Sequence, residues 1–230
     1  MATLLLVRHG QASYGQADYD RLSERGQEQA RQLGRYLATQ RLDALYAGPH
    51  VRQQQTAALA REGTQLPEIN QLPELAEYPA FEMLQHLVPK LAAEDHRFAQ
   101  LTTAPTPKLL DDAFHTILGR WSRDEWAVPG LETVREFVAR IERGLERVLR
   151  STQSGGRAAI VTSAGPIGVA VGLVFGIAEE RMVRTSIVIK NASITELRFR
   201  SQTFAWHPDQ ISLVTFNLTS HLSDELQTER

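Results

Sequence analysis

The strongest constraint in this 230-residue chain is a recurring pattern: a short apolar run stops at a glycine-containing turn and gives way to helical spacing. Residues 2–8 (ATLLLVR) run into His9-Gly10, residues 42–47 (LDALYA) into Gly48-Pro49, and residues 157–163 (RAAIVTS) toward Gly165-Pro166. Runs that are apolar at both alternating positions suit strands buried on both faces of a parallel sheet. Parallel neighbours need crossover connections, and the intervening segments have the periodicity to supply them as helices. The expected fold is therefore α/β: a three-layer α/β/α sandwich with a mostly parallel sheet.

The helices can be drawn from their caps and stripes. Ser23 caps a segment whose apolar positions Leu22, Ala30, Leu33 and Leu37 fall on one face. Pro49 suits the first position of a helix that runs to about residue 62. Thr133 and Glu136 have capping-box spacing ahead of Val134, Phe137, Val138, Ile141, Leu145, Val148 and Leu149, the cleanest amphipathic stripe in the chain. Leu84, Leu87, Leu91 and Phe98 mark a further helix, residues 113–121 another, and β-branched runs near 185–199 and 211–216 further strands. Residues 119–126 (GRWSRDEW) read as a helix with buried indoles rather than a lid. No linker or repeat interrupts the chain, so a single domain over residues 1–230 is expected, with a mainly helical insertion at about 79–128.

Composition narrows the function classes. With 42% hydrophobic residues, 23% charged and a formal charge of −2, nothing calls for nucleic acid or an anionic membrane as partner. Cysteine is absent, which removes disulfides, thiolate metal sites and a cysteine nucleophile, and fits a cytoplasmic location. The seven histidines are scattered and no HExxH pattern occurs, so neither a metal nor another cofactor is expected. Thr162-Ser163-Ala164-Gly165 lacks the GxSxG elbow of a serine hydrolase.

Arg8-His9-Gly10 at the end of the first strand is the chemically suggestive segment. An unprotonated imidazole is a competent nucleophile toward phosphorus once the phosphoryl oxygens are neutralised, and guanidinium does that with a charge it keeps at any ordinary pH. In open α/β sheets ligands collect beyond the carboxyl ends of the strands, so this turn and the 162–165 turn should share one crevice.

Five segments in order resemble the histidine phosphatase superfamily, the phosphoglycerate-mutase-like fold. Arg8-His9-Gly10 is similar to its RHG, and Leu22-Ser23-Glu24-Arg25-Gly26 with Gln29-Ala30 and Leu33-Gly34 to its LTERG..QA..LG helix. Residues 48–57 (GPHVRQQQTA) resemble SPLxRAxQTA, Leu72-Pro73-Glu74 its LxE, and Gly130-Leu131-Glu132-Thr133 its GES. The resemblance implies that His9 takes up a phosphoryl group, that Arg8 and Arg52 hold its oxygens, and that Glu74 protonates the leaving alcohol, with Glu77 as the spare candidate. Gln11 is a further candidate substrate contact, and the hydroxyls of Thr162 and Ser163 are able to bind phosphate.

Two departures stand out. The family's VSHGG is matched by Val161-Thr162-Ser163-Ala164-Gly165, so Ser163 takes the place of a second histidine. A hydroxyl donates one neutral hydrogen bond, and weakening one transition-state donor costs on the order of 10²–10³ in turnover. After RHG, Ala12 and Gly15, flanked by Ser13 and Gln16, replace polar positions. The expected activity is metal-independent hydrolysis of a phosphomonoester on a small molecule, with a phosphoprotein as the second substrate class. The alternative is a feeble or non-catalytic relative that binds phosphate, and phosphoglycerate mutase activity ranks last. Oligomeric state is not readable from the sequence.

Overall fold

The computed structural model describes residues 1–13, 20–201 and 203–229, so the departures at Gly15 and Gln16 lie outside the described residues. The strands are β1 (Ala2–Arg8), β2 (Ala44–Ala47), β3 (Ile69–Gln71), β4 (Arg157–Thr162), β5 (Ile194–Phe199) and β6 (Ile211–Leu218). They form one sheet in the order β3-β2-β4-β1-β5-β6. The β2–β3, β2–β4 and β1–β4 pairs are parallel, and β5 and β6 add an antiparallel edge.

Helices cover both faces, as a doubly apolar central strand demands. The helices α1 (Glu24–Ala38) and α2 (Val51–Arg61) lie on one side, where Leu5 and Val7 of β1 pack with Leu33, Leu37, Ala57 and Ala60. On the other side Leu4 and Leu6 join a core built from α3 (Ala80–Glu94), α4 (Pro107–Ser122), α5 (Val134–Ser151), α6 (Ala164–Phe175) and α7 (Glu179–Ser186). The alternation along β1 is thus between two cores, which is why its sequence shows no polar face. Met83, Leu87, Ile117 and Trp121 from residues 79–128 belong to the same core as Phe137 and Ile141, and Trp126 is buried there too.

Local signals hold at the starts of α1 and α5. Ser23 Oγ accepts the Gly26 N–H at 3.1 Å, and Thr133 and Glu136 form the reciprocal capping box. Three boundaries differ from the sequence expectation. His50, not Pro49, caps α2, so the proline precedes the cap. Asp95 breaks the helix expected through Phe98, and Phe98 lies in a following 3-10 turn, His96–Thr102. The strand expected over about 185–199 starts only at Ile194, because Thr185 and Ser186 still belong to α7, whose Met182 and Val183 are buried. Among the described residues no helix is long and apolar enough to cross a membrane.

Candidate active site

The parallel register of β1 and β4 pairs Arg8 with Thr162, and His9 N–H donates to the Thr162 carbonyl at 2.8 Å. The next residues along, His9 and Ser163, therefore emerge side by side where the two strands end. From the other side α2 closes in: Gly10 N–H donates to Thr56 Oγ1 at 3.0 Å, and Thr56 is fully buried. These bonds fix the RHG turn against the helix that carries Arg52.

His9 is 6% exposed. Its Nδ1 lies 2.7 Å from the Gly10 carbonyl, an acceptor only, which assigns the ring proton to Nδ1. Nε2 is then the basic atom, and Arg52 Nε–H donates to it at 3.1 Å. Burial pushes the His9 pKa well below its usual value, with the Arg52 and Arg8 charges adding to the effect. A neutral imidazole is the state a phosphorus nucleophile needs, and Arg52 Nε–H must pass from Nε2 to a phosphoryl oxygen for the lone pair to attack.

Arg52 is held in turn by Asp20, whose Oδ1 accepts from Nη1 at 2.6 Å while Oδ2 accepts the Val51 N–H at 2.9 Å. Asp20 thereby serves the first turn of α2 and orients the guanidinium toward His9. Nothing in the sequence singled it out, although an acid just ahead of the LSERG cap is the signal that was available. Arg8 donates through Nη1 to the carbonyls of Ile189 and Glu229, the latter at 2.9 Å. Its charge nonetheless acts on both His9 and Glu77.

The two acidic candidates separate. Glu74 sits in a 3-10 turn, Pro73–Leu75, and its carboxylate accepts from Arg147 on α5 at 2.7 Å, away from His9. Glu77 is the carboxyl that reaches the crevice: Oε2 accepts the Gly165 N–H and Oε1 the Tyr78 N–H, each at 3.1 Å. A Cβ at Gly165 would come within 2.0 Å of Glu77 Oε1, so this approach requires glycine there. Burial raises the Glu77 pKa, against the lowering effects of the Gly165 N–H and Arg52. A buried carboxyl with a raised pKa is the kind of group that general acid chemistry uses. The sequence carries the LxE spacing twice, at Leu72-Pro73-Glu74 and Leu75-Ala76-Glu77, and the second copy is the one that folds inward.

The hydrogen bonds place three further candidates. Thr162 Oγ1 donates to the Leu75 carbonyl at 2.7 Å and so braces the turn before Glu77. Gln11 Oε1 accepts from Ser23 Oγ at 2.9 Å, and its backbone N–H donates to Gln29 Oε1 at 2.7 Å, which ties it to α1. Ser163 does lie beside His9, fully buried, and its Oγ accepts from Gln53 Nε2 at 2.8 Å. One histidine the sequence did not nominate also reaches this region. His50 Nε2 accepts the Glu77 N–H at 3.2 Å, Nδ1 is 3.9 Å from Asp20, and burial together with Arg52 lowers its pKa.

Residues 4–108 and 97–208 match the family model of the histidine phosphatase superfamily, branch 1. No curated protein matches the sequence. Among solved structures the chain is similar to Bacillus stearothermophilus YhfR, at 18% identity and a TM-score of 0.69, covering 96% of this chain and 99% of that one. A mycobacterial glucosyl-3-phosphoglycerate phosphatase solved with inorganic phosphate aligns at 19% identity and TM-score 0.67, over 96% and 99% of the two chains. A mutant phosphoserine phosphatase from Entamoeba histolytica, in complex with phosphoserine, aligns at 17% and 0.65, over 97% and 100%. At these identities the likeness is one of fold.

Proposed function

Because the chain belongs to the histidine phosphatase superfamily, we propose that it is a phosphatase that hydrolyses a phosphomonoester through a phosphohistidine at His9. The observation that carries this reading is the neutral His9 ring, anchored through Nδ1 and with Nε2 turned to Arg52. The phosphatases among the similar structures support the reaction class.

In this reaction Nε2 forms a bond to phosphorus as the ester P–O bond breaks, and Glu77 gives its proton to the departing oxygen. Arg52 and Arg8 balance the charge on the non-bridging oxygens, and Ser163 donates a neutral hydrogen bond. Glu77, now a carboxylate, takes a proton from water as that water attacks the phosphohistidine, and inorganic phosphate leaves with His9 restored. The substrate is a phosphorylated small molecule, and a phosphoprotein is the second class to assay. The absence of cysteine supports a cytoplasmic location. Ser163 beside His9, where the family pattern has an imidazole, favours one other reading: a protein that binds phosphate with little turnover.

The assay that separates the two is hydrolysis of para-nitrophenyl phosphate in the presence of a metal chelator. Turnover supports the phosphatase; phosphate binding without turnover supports the binding protein. The pH dependence carries a sign. Activity needs neutral His9, so its acid limb lies well below the ordinary histidine range. With an alkyl phosphomonoester, whose leaving oxygen needs a proton, it also needs protonated Glu77, so kcat/KM falls as pH rises through a carboxyl pKa that burial has raised. The expected kcat/KM profile is a bell whose maximum lies on the acid side of neutrality; a profile still rising above pH 8 contradicts it.

A further inference from the structure

We infer that Gln53 is a positioning residue that fixes the Ser163 hydroxyl as a hydrogen-bond donor to the transferring phosphoryl group. The inference rests on the phosphatase reading and adds to it a side chain that does not itself touch the substrate.

Gln53 lies in the first turn of α2, fully buried. Its Oε1 accepts the His50 backbone N–H at 3.0 Å, and its Nε2 donates to Ser163 Oγ at 2.8 Å and, more distantly, to the Leu75 carbonyl at 3.4 Å. A backbone N–H only donates and a carbonyl only accepts, so the two backbone partners determine which end of the amide is which. Ser163 Oγ is therefore an acceptor from Gln53 and must place its own proton elsewhere. Ser163 is fully buried, and among the described residues its hydroxyl has no acceptor. The neighbouring Thr162 hydroxyl is already committed to the Leu75 carbonyl. The register that sets Ser163 beside His9 leaves a phosphoryl oxygen on Nε2 as the acceptor that completes the hydroxyl.

The same contact accounts for what fills the space across from His9. Gln53 packs so closely that a Cβ on Gly48 would fall 2.3 Å from its Oε1, and an imidazole at position 163 would meet its Nε2. The crevice thus works with a neutral donor held in a fixed direction, in place of a second ring.

The test is a double-mutant cycle. Gln53→Met keeps the length of the side chain and removes the amide, and Ser163→Ala removes the hydroxyl. With para-nitrophenyl phosphate, S163A should lower kcat about 10²-fold and Q53M about 10-fold, with KM changed less than about threefold, because the contact strengthens in the transition state. The double variant should fall no further than about twofold below S163A, since the amide acts through the hydroxyl. Gln53→Glu keeps the volume, captures the serine proton on a carboxylate and should lose at least as much kcat as Q53M; it decides the matter should Q53M fail to fold by circular dichroism. A double variant reduced by the product of the two single losses, or glutamine variants with wild-type kcat, overturns the inference. Calorimetric affinity for orthovanadate across the same proteins separates the two failures. A wild type without turnover sinks the phosphatase reading, while vanadate binding weakened equally in S163A and the double variant still supports the pair and four equal affinities overturn it.

Discussion

His9→Ala should abolish hydrolysis of para-nitrophenyl phosphate, with a loss of about 10⁴-fold or more, because removing a nucleophile also removes the intermediate that divides the reaction into two easier steps. The variant should fold. The His9 side chain makes its bonds to the adjacent Gly10 carbonyl and to Arg52, whereas the strand is held by the backbone bonds of β1 to β4 and β5. Phosphate affinity should survive, since Arg52 remains fixed by Asp20 and α2. Retention of more than about a tenth of wild-type kcat would mean that water attacks phosphorus directly, and the imidazole would then be a binding group only.

The second large effect concerns the two glutamates. Glu77→Gln should lower kcat/KM for an alkyl phosphomonoester by about 10²–10⁴-fold, the usual size of a general-acid contribution. The loss should be much smaller for para-nitrophenyl phosphate, whose leaving group departs without help from a proton. Glu74→Gln removes a half-exposed pair with Arg147 and should change either rate less than about twofold. The contrast between leaving groups is the informative part, because misfolding or a general loss of affinity would depress both substrates alike. An E74Q variant that loses selectively on the alkyl ester would return the acid role to that residue.

How far the sequence reaches is clear from these residues. β1 and β4 were legible because burial on both faces leaves an unbroken apolar run, and α1 and α5 because their caps and stripes agree. β3 was not: Ile-Asn-Gln is three residues long, two of them polar, and at the sheet edge, and its strand character comes from pairing with β2. Residues 185–189 are rich in β-branched side chains, so composition pointed to strand, yet Thr185 and Ser186 end α7 and Ile187 and Val188 leave it in an exposed turn. In the crevice, His9 and Arg52 follow from local motifs, because each sits at a fixed offset from the end of a strand or the start of a helix. Glu77 does not, since the 3-10 turn at Pro73–Leu75 turns one LxE toward α5 and the next toward α6. Thr162, Gln11 and Gln53 illustrate the same limit. Whether a polar side chain faces ligand or braces a neighbouring carbonyl is settled by partners 12 to 110 positions away in the chain, which spacing alone does not encode.

The most direct measurement is to trap the phosphorylated protein. Mixing it with a ³²P-labelled phosphomonoester, quenching in alkali and mapping the label by mass spectrometry should give one modified peptide, with phosphate on His9. That phosphate should be stable in base, lost in mild acid and absent from H9A. Turnover with no trapped label, or a label on Ser163 or any other side chain, would contradict it.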